Sequence, residues 1–376
     1  MIYLDNSSTT HKKPKSVIKA TLAGVTSLST NPSRGGYPLT IKGGIEIYNC
    51  REKLANYLGT DPNNIIFTSG CTMALNLALK GTARKNGHII ATIFEHNSVL
   101  RVLNYLQETY NITYTLLTPD KNGLIDIKSI KKAIQPNTYM LITNHTSNVT
   151  GATQNIEKIG IIAKKHKLIY LVDGAQSVGH EKIDMVKMNI NLLTIAGHKG
   201  LYAPQGIGVL AINNCKVHPI IEGGTGTHSD KIKQPSDYPD GLESGTPNIV
   251  GILGLSKGVD FVKKHQKKIN TKIYKLTTYL LENLRKVYGI TIYSNNPKSG
   301  VVSFTLKNFN STEISNFLGE KYNICTRSGL HCAPQVHKFY GTLKNGMVRI
   351  SLSYFNKKSE IDKLIVALNE LNDQKN

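Results

Sequence analysis

Acidic residues are scarce in this chain of 376 residues: 25 Asp and Glu stand against 46 Lys and Arg, for a formal net charge of +21. Such an excess suits nucleic-acid binding only when the basic residues gather into a patch interleaved with aromatics. Here they are spread along the whole chain, with short clusters such as Lys263-Lys264 and Lys267-Lys268 on one expected helix face. Nucleic acid is therefore set aside as a partner, and a long-range field favouring an acidic protein is what the charge supports. Cysteine is scarce too. Cys50, Cys71, Cys215, Cys325 and Cys332 are odd in number and spaced for neither a disulfide framework nor a zinc site. Free thiols in a reducing compartment are the expectation, with no metal. No apolar run is long enough to span a bilayer, which sets aside a membrane partner. The opening Met1-Ile2-Tyr3-Leu4-Asp5-Asn6 lacks the basic and then apolar pattern of a secretory leader. The cytoplasm is the default location.

What is present is enough for a folded core of more than one domain, because a chain of this length exceeds the usual limit of a single core. Pro14 opens a helix that runs to about residue 28, residues 31–36 form a loop by composition, and residues 45–58 form a second helix. Strands are expected at 65–68, 88–94, 113–117, 139–143 and 168–173, alternating with helices that start near residues 73, 98, 127 and 156. Alternation over this length argues an α/β fold with a mostly parallel sheet covered by helices. Around Ile249 the character changes. Ile269, Ile273, Leu276, Leu280, Leu284 and Val287 mark a long amphipathic helix. Short strands and helices follow, with the last helix at 359–371. The division read from this pattern is a large domain over 14–254 and a smaller α+β domain formed by 1–13 and 255–376.

One lysine stands apart from the rest. Lys199, in Ala196-Gly197-His198-Lys199-Gly200, connects two apolar stretches, Leu192–Ile195 and Gly206–Ile212, that read as buried strands. Burial lowers an amine's pKa and makes it a usable nucleophile, which is what a Schiff-base lysine requires. A loop lysine reaching out to solvent fits the local window equally well. Other polar features also lie just past strand ends, where open α/β sheets bind ligands. Ser69-Gly70-Cys71-Thr72, between a strand and a helix, offers backbone N–H groups and a hydroxyl to a phosphate. Asp173 could cap a helix or hold a protonated ring nitrogen. His96 could be a structural histidine or part of the same site.

The ordered motifs Tyr3-Leu4-Asp5-Asn6-Ser7-Ser8-Thr9-Thr10, Thr68-Ser69-Gly70-Cys71-Thr72, Glu95-His96-Asn97-Ser98, Ser147-Asn148-Val149-Thr150-Gly151, Val172-Asp173-Gly174-Ala175-Gln176, Gly197-His198-Lys199-Gly200 and Arg327-Ser328-Gly329-Leu330-His331-Cys332-Ala333-Pro334 cover nearly the whole length. In these the chain resembles the class V aminotransferase family, and within it the cysteine desulfurase and selenocysteine lyase group. The resemblance implies an aspartate-aminotransferase-like fold of type I and pyridoxal 5'-phosphate as cofactor. It implies conversion of L-cysteine to L-alanine, with a persulfide formed on Cys332 and passed to an acceptor protein. Selenocysteine lyase and other class V aminotransferase or lyase chemistry are the alternatives. Iron–sulfur cluster assembly is one destination for the sulfur; tRNA thiolation and other cofactors are others.

The resemblance also implies a role for each residue. Lys199 would carry the cofactor, Asp173 would pair with its ring nitrogen, Gln176 with its phenolic oxygen, and His96 would stack on the ring. Cys71 through its backbone N–H, Thr72 and His198 would hold the phosphate. Thr225, in Gly223-Gly224-Thr225-Gly226, would reach the phosphate of a neighbouring subunit, which implies a homodimer. Asn148 and Arg349 would orient the substrate, Arg349 as a two-point fork on its carboxylate. Cys332 would accept the sulfur, with Arg327 and His331 near enough to favour its thiolate. The chain departs from the family pattern where Ala196 replaces a phosphate-binding hydroxyl residue, for which Thr194 could substitute, and where Cys71 fills the middle of the phosphate turn.

Overall fold

The computed structural model describes every residue except Ser33, Arg34, His228, Asn295, Pro297, Lys375 and Asn376. The loop expected at 31–36 lies partly outside the described residues. A short strand, β1 (Ile2–Tyr3), precedes helices α1 (Lys15–Val25) and α2 (Pro38–Leu58). The central run is β2 (Ile65–Thr68), α3 (Cys71–Gly81), β3 (His88–Thr92), α4 (Asn97–Tyr110), β4 (Thr113–Leu117), α5 (Ile127–Ala133), β5 (Thr138–Asn144), α6 (Ile156–Lys165), β6 (Ile169–Asp173), β7 (Leu192–Ala196) and β8 (Gly208–Ile212). The C-terminal run is α7 (Ile249–Leu284), β9 (Ile290–Ile292), β10 (Val301–Leu306), α8 (Ser311–Tyr322), β11 (Ile324–Cys325), α9 (Pro334–Phe339), β12 (Val348–Ser351) and α10 (Lys358–Asp373).

The large sheet has the order β2-β8-β7-β6-β5-β3-β4. Every neighbouring pair is parallel except the two made by β8, which runs against both β2 and β7. The strands read as continuous apolar runs because both faces are covered: β3, β7 and β8 are buried at every residue. Side chains alternate between the two covers. Tyr170, Val172 and Val209 face a core shared with α2, α6 and α7, whereas Leu171 and Leu210 face one shared with α3 and α4. The second sheet is antiparallel, β12-β10-β9, and packs with α8, α10 and the end of α7. Leu4 sits in that same core, because β1 pairs in parallel with β11. No helix among the described residues is long and apolar enough to cross a membrane.

Two elements differ from the sequence reading in ways that matter for the site. Helix α7 is one continuous helix of 36 residues and runs through the boundary expected at 254/255. Its N-terminal half is rich in glycine, which weakens the helical signal, but the glycines are contact points. A Cβ on Gly254 would meet Pro204 Cδ at 2.5 Å, and one on Gly258 would collide with the Leu201 carbonyl. Helix α9 was not expected; Pro334 occupies its first turn, where the missing N–H costs nothing.

Candidate active site

β8 opposes both β2 and β7, so β2, β3, β5, β6 and β7 all end on one side of the sheet. A cavity of about 370 Å³ lies there. Cys71, Thr72 and His96 line it, as do Asn148, Asp173 and Gln176, and so do His198, Lys199 and Arg349. Of the residues expected at the site, Cys332 and Thr225 are not among the lining residues.

Lys199 is held by a tight turn off β7, with its N–H on the Ala196 carbonyl at 3.3 Å and its own carbonyl accepting from the Tyr202 N–H at 3.0 Å. Its Nζ makes no hydrogen bond or ion pair with a described residue. Burial lowers its pKa, and the guanidinium groups of Arg349 and Arg327 push the same way, against the opposing pull of Cys71 and Asp173. Asp173, at the end of β6, uses one oxygen, Oδ1, to accept the Ala175 N–H at 2.9 Å and the Cys71 thiol at 3.5 Å. Burial raises the Cys71 pKa well above its ordinary value and Asp173 adds to the effect, so Cys71 stays a thiol. Thr194 lies beside that thiol, its Oγ1 buried without a partner among the described residues, and it is not one of the residues lining the cavity.

His96 caps α4: its Nδ1 accepts the Ser98 N–H at 3.1 Å, which leaves the ring proton on Nε2. Burial pushes its pKa down to about 4, with Asp173 opposing, so the ring is neutral at pH 7. His198 is likewise pushed to about 4 by burial, with Lys199 and Lys13 contributing, and its Nδ1 is buried without a partner. The N-termini of α3 and α4 meet through Thr72 Oγ1 and Ser98 Oγ, 2.8 Å apart. That junction exists because β8 passes close by as a glycine. A Cβ on Gly208 would lie 2.6 Å from Gly70 Cα and 2.8 Å from Cys71 N.

Arg349, 1% exposed, donates Nη2–H to Asp5 Oδ1 at 2.6 Å and to Ser8 Oγ at 2.9 Å, and Nη1–H to the Asn148 carbonyl at 3.0 Å. Nε has no partner. The free donors, Nε–H and one Nη1–H, lie on different edges of the guanidinium. A two-point grip on a carboxylate therefore requires one present partner to yield. Asn148 donates Nδ2–H to the His331 carbonyl at 2.7 Å and leaves Oδ1 buried and unpartnered. Gln176 donates Nε2–H to the Ser7 carbonyl at 3.1 Å.

Cys332 is half-buried beside the cavity, in a turn where it and His331 both adopt the left-handed backbone conformation (φ 56° and 51°). That conformation costs a non-glycine residue roughly 1–2 kcal/mol, and surrounding bonds offset it. The Asn97 N–H donates to the Cys332 carbonyl at 2.7 Å, and Arg327 donates Nη2–H to Cys332 Sγ at 3.3 Å. Arg327 itself lines the cavity. Thr225 is half-buried and donates its hydroxyl to the Thr227 carbonyl at 3.0 Å. It lines a neighbouring cavity of about 540 Å³ that shares Ser69 and Met73 with the first. Sequence reasoning assigned no role to Asp5, Ser7, Ser8 or Ser98. The polar run from Asn6 to Thr10 was the available signal for Ser7 and Ser8, which line the cavity.

The model of the class V aminotransferases matches residues 2–364. The chain belongs to the class V aminotransferase family. A probable cysteine desulfurase of Borreliella burgdorferi is 33% identical, covering 99% of this chain and 92% of its own. A cysteine desulfurase of Wigglesworthia glossinidia brevipalpis is 32% identical over 98% and 92%. The solved apo structure of a cysteine desulfurase from Thermococcus onnurineus superposes with a TM-score of 0.92 at 30% identity, over 99% and 95%. The family is of fold type I and depends on pyridoxal 5'-phosphate. The donors present fit that group. The cavity offers a lysine amine that makes no hydrogen bond with a described residue, a carboxylate with one oxygen unused, and the N-terminus of α3 at Gly70 and Cys71, whose backbone packs closely on Gly208. Around it, His198 Nδ1, Asn148 Oδ1 and Arg349 Nε are buried without partners.

Proposed function

We propose that the protein is a pyridoxal 5'-phosphate-dependent cysteine desulfurase that converts L-cysteine to L-alanine and takes the sulfur onto Cys332. The observation that carries this reading is the Arg327 Nη2–H on Cys332 Sγ at 3.3 Å, which ties a thiol to the rim of the Lys199 cavity. Lys199 carries the cofactor, Asp173 pairs with its ring nitrogen, Gln176 with its phenolic oxygen, and His96 covers its face. The α3 N-terminus at Cys71, Thr72 and His198 hold its phosphate. The bound cofactor supplies an electron sink for the charge that develops at the substrate's Cα. Lys199 Nζ, whose pKa burial lowers, takes the Cα proton. Arg349 and Asn148 orient the substrate. Cys332 Sγ, as thiolate, attacks the substrate sulfur; the S–S bond forms as the Cβ–S bond breaks, and Cβ takes a proton to give alanine.

A second copy of this chain completes the assembly. Ile18, Leu22 and Val25 on α1 and Ile41, Ile45 and Tyr48 on α2 are each more than half exposed at helical spacing, an apolar stripe of the kind an interface covers. In that homodimer Thr225 serves the partner's phosphate site. The sulfur goes on to an acceptor protein that docks over the Cys332 turn, where Leu330, Phe339 and Leu343 are exposed. The division into residues 14–254 and residues 1–13 with 255–376 is retained, with α7 shared between the two. Five free cysteines fit the reducing cytoplasm as the place of work.

The test measures alanine and sulfide from L-cysteine, with a dithiol present to regenerate Cys332. The wild-type protein releases both in equal amounts. Lys199→Ala and Cys332→Ala each lose roughly a thousandfold or more, as expected for groups acting directly on the reacting atoms. Full alanine production by Cys332→Ala would remove Cys332 from the chemistry.

A further inference from the structure

The turn that carries Cys332 rests on a buried histidine pair that the reaction itself does not use. His331 and His337 are 2% and 0% exposed, and their ring planes are 24° apart with centroids separated by 5.4 Å. His331 Nε2 lies 3.2 Å from the Arg327 carbonyl, His331 Nδ1 lies 3.3 Å from His337 Nε2, and His337 Nδ1 lies 2.9 Å from Thr342 Oγ1. A carbonyl only accepts, so His331 carries its proton on Nε2 and its Nδ1 is an acceptor. His337 must then donate Nε2–H to His331, and its Nδ1 accepts from the Thr342 hydroxyl. The chain runs one way: Thr342 to His337, His337 to His331, His331 to the Arg327 carbonyl. No ring nitrogen is left over. A second proton on His331 would set its Nδ1–H against the His337 Nε2–H. Burial agrees, pushing His337 down to about 4 and His331 far below its ordinary value, with Arg349 adding to the latter.

The chain ends on the residue whose side chain holds the thiol. Arg327 accepts His331 Nε2–H on its carbonyl and donates Nη2–H to Cys332 Sγ. The same carbonyl also accepts the Arg349 N–H at 2.8 Å, so the turn is referred back to β12. His331 is therefore braced at its ring by His337, at its ring again by Arg327, and at its carbonyl by Asn148.

We propose that His337 is a positioning residue: through His331 it locks the left-handed turn that presents Cys332 Sγ to the Arg327 guanidinium, and so sets the reactivity of the sulfur-accepting thiol. The proposal rests on the reading that Cys332 accepts the sulfur.

The test uses the holoenzyme and follows alkylation of Cys332 by iodoacetamide from pH 6 to pH 10, with the Cys332 peptide quantified by mass spectrometry. Steady-state kcat and KM for L-cysteine are measured beside it. His337→Phe keeps the ring and removes both hydrogen bonds. Its alkylation at neutral pH is expected to slow about fivefold or more, the loss that one buried hydrogen bond commands. kcat should fall in proportion, with KM held within about twofold. His337→Gln, whose amide N–H can still donate to His331, should recover most of the rate. Thr342→Val removes only the first donor and should act in the same direction more weakly. Should His337→Phe give no folded holoenzyme, Thr342→Val decides on the same readout. Wild-type alkylation profiles in the folded variants would overturn the proposal. Failure of the underlying reading shows separately, as full activity in Cys332→Ala, because alkylation reports the turn whether or not Cys332 takes sulfur.

Discussion

Arg327 donates Nη2–H to Cys332 Sγ at 3.3 Å and, through Nη1, bonds the Ser8 hydroxyl at 3.2 Å. That same hydroxyl accepts Nη2–H of Arg349 at 2.9 Å. One serine from the N-terminal segment thus links the guanidinium that holds the thiol to the one proposed to orient the substrate.

The Arg327 guanidinium holds the Cys332 sulfur in place. Arg327→Gln should slow alkylation of Cys332 at neutral pH about tenfold relative to wild type, the scale of one lost charge-assisted hydrogen bond. Arg327→Lys should retain part of the rate. Peptide-resolved alkylation kinetics would show it, and equal rates in wild type and Arg327→Gln would mean that the contact does not govern the thiol.

Gly208 leaves room for the turn at Gly70 and Cys71. Gly208→Ala places a Cβ against backbone that cannot yield without moving the α3 N-terminus. Its affinity for pyridoxal 5'-phosphate should fall by about tenfold or more, on the order of losing one or two anchoring hydrogen bonds. The comparison is a titration of the cofactor-free proteins with the cofactor. Unchanged affinity would place the phosphate elsewhere.

Glu95, the residue before His96, is fully buried, with Oε1 accepting from Thr92 Oγ1 and the Asn144 N–H and Oε2 without a partner among the described residues. Burial raises its pKa from 4.5 to about 8, against the pull of those hydrogen bonds. The folded protein thus holds a proton that the unfolded chain releases near pH 4.5, and folding stability falls as pH rises between these values. Each pKa unit corresponds to about 1.4 kcal/mol, so the total reaches several kcal/mol at most. Glu95→Gln should flatten this part of the stability profile and melt higher than wild type near pH 8. Thermal melts across pH 5–8 would contradict the assignment if the two profiles ran parallel.

The apolar stripe on α1 and α2 predicts the assembly. A double substitution, Leu22→Glu with Ile45→Glu, should give a folded monomer by light scattering. Its activity should be reduced because Thr225 no longer reaches a partner's site. A dimer that survives both changes would place the interface elsewhere.

The fold was legible because strand burial follows a simple rule. Strands covered on both faces write themselves as apolar runs, as Leu192–Ala196 does, whereas Val301–Leu306 shows itself by alternation, with Val302, Phe304 and Leu306 on one core face. Helix α2 starts at Pro38, earlier than the expected residue 45, because Gly43 and Gly44 weaken the pattern there. Gly43 is a packing point, since a Cβ on it would lie 3.0 Å from Thr30 Cγ2. Lys199, Asp173 and His96 were found because a parallel sheet gathers its strand ends. The bonds among Asp5, Ser8, Arg327 and Arg349 could not be found that way. Asp5 and Arg349 are 344 residues apart, and no local period records a contact of that range. The His331–His337 pair was missed for a related reason: His337 belongs to a helix of six residues that the sequence presents as loop.

The central claim is that sulfur leaves L-cysteine by moving onto Cys332. It is tested most directly by mixing holoenzyme with one equivalent of L-cysteine, without reductant, and weighing the Cys332 peptide. The account predicts a gain of one sulfur atom on that peptide, matched by one equivalent of alanine and absent in Lys199→Ala. Alanine formed with the Cys332 peptide unchanged in mass would contradict it.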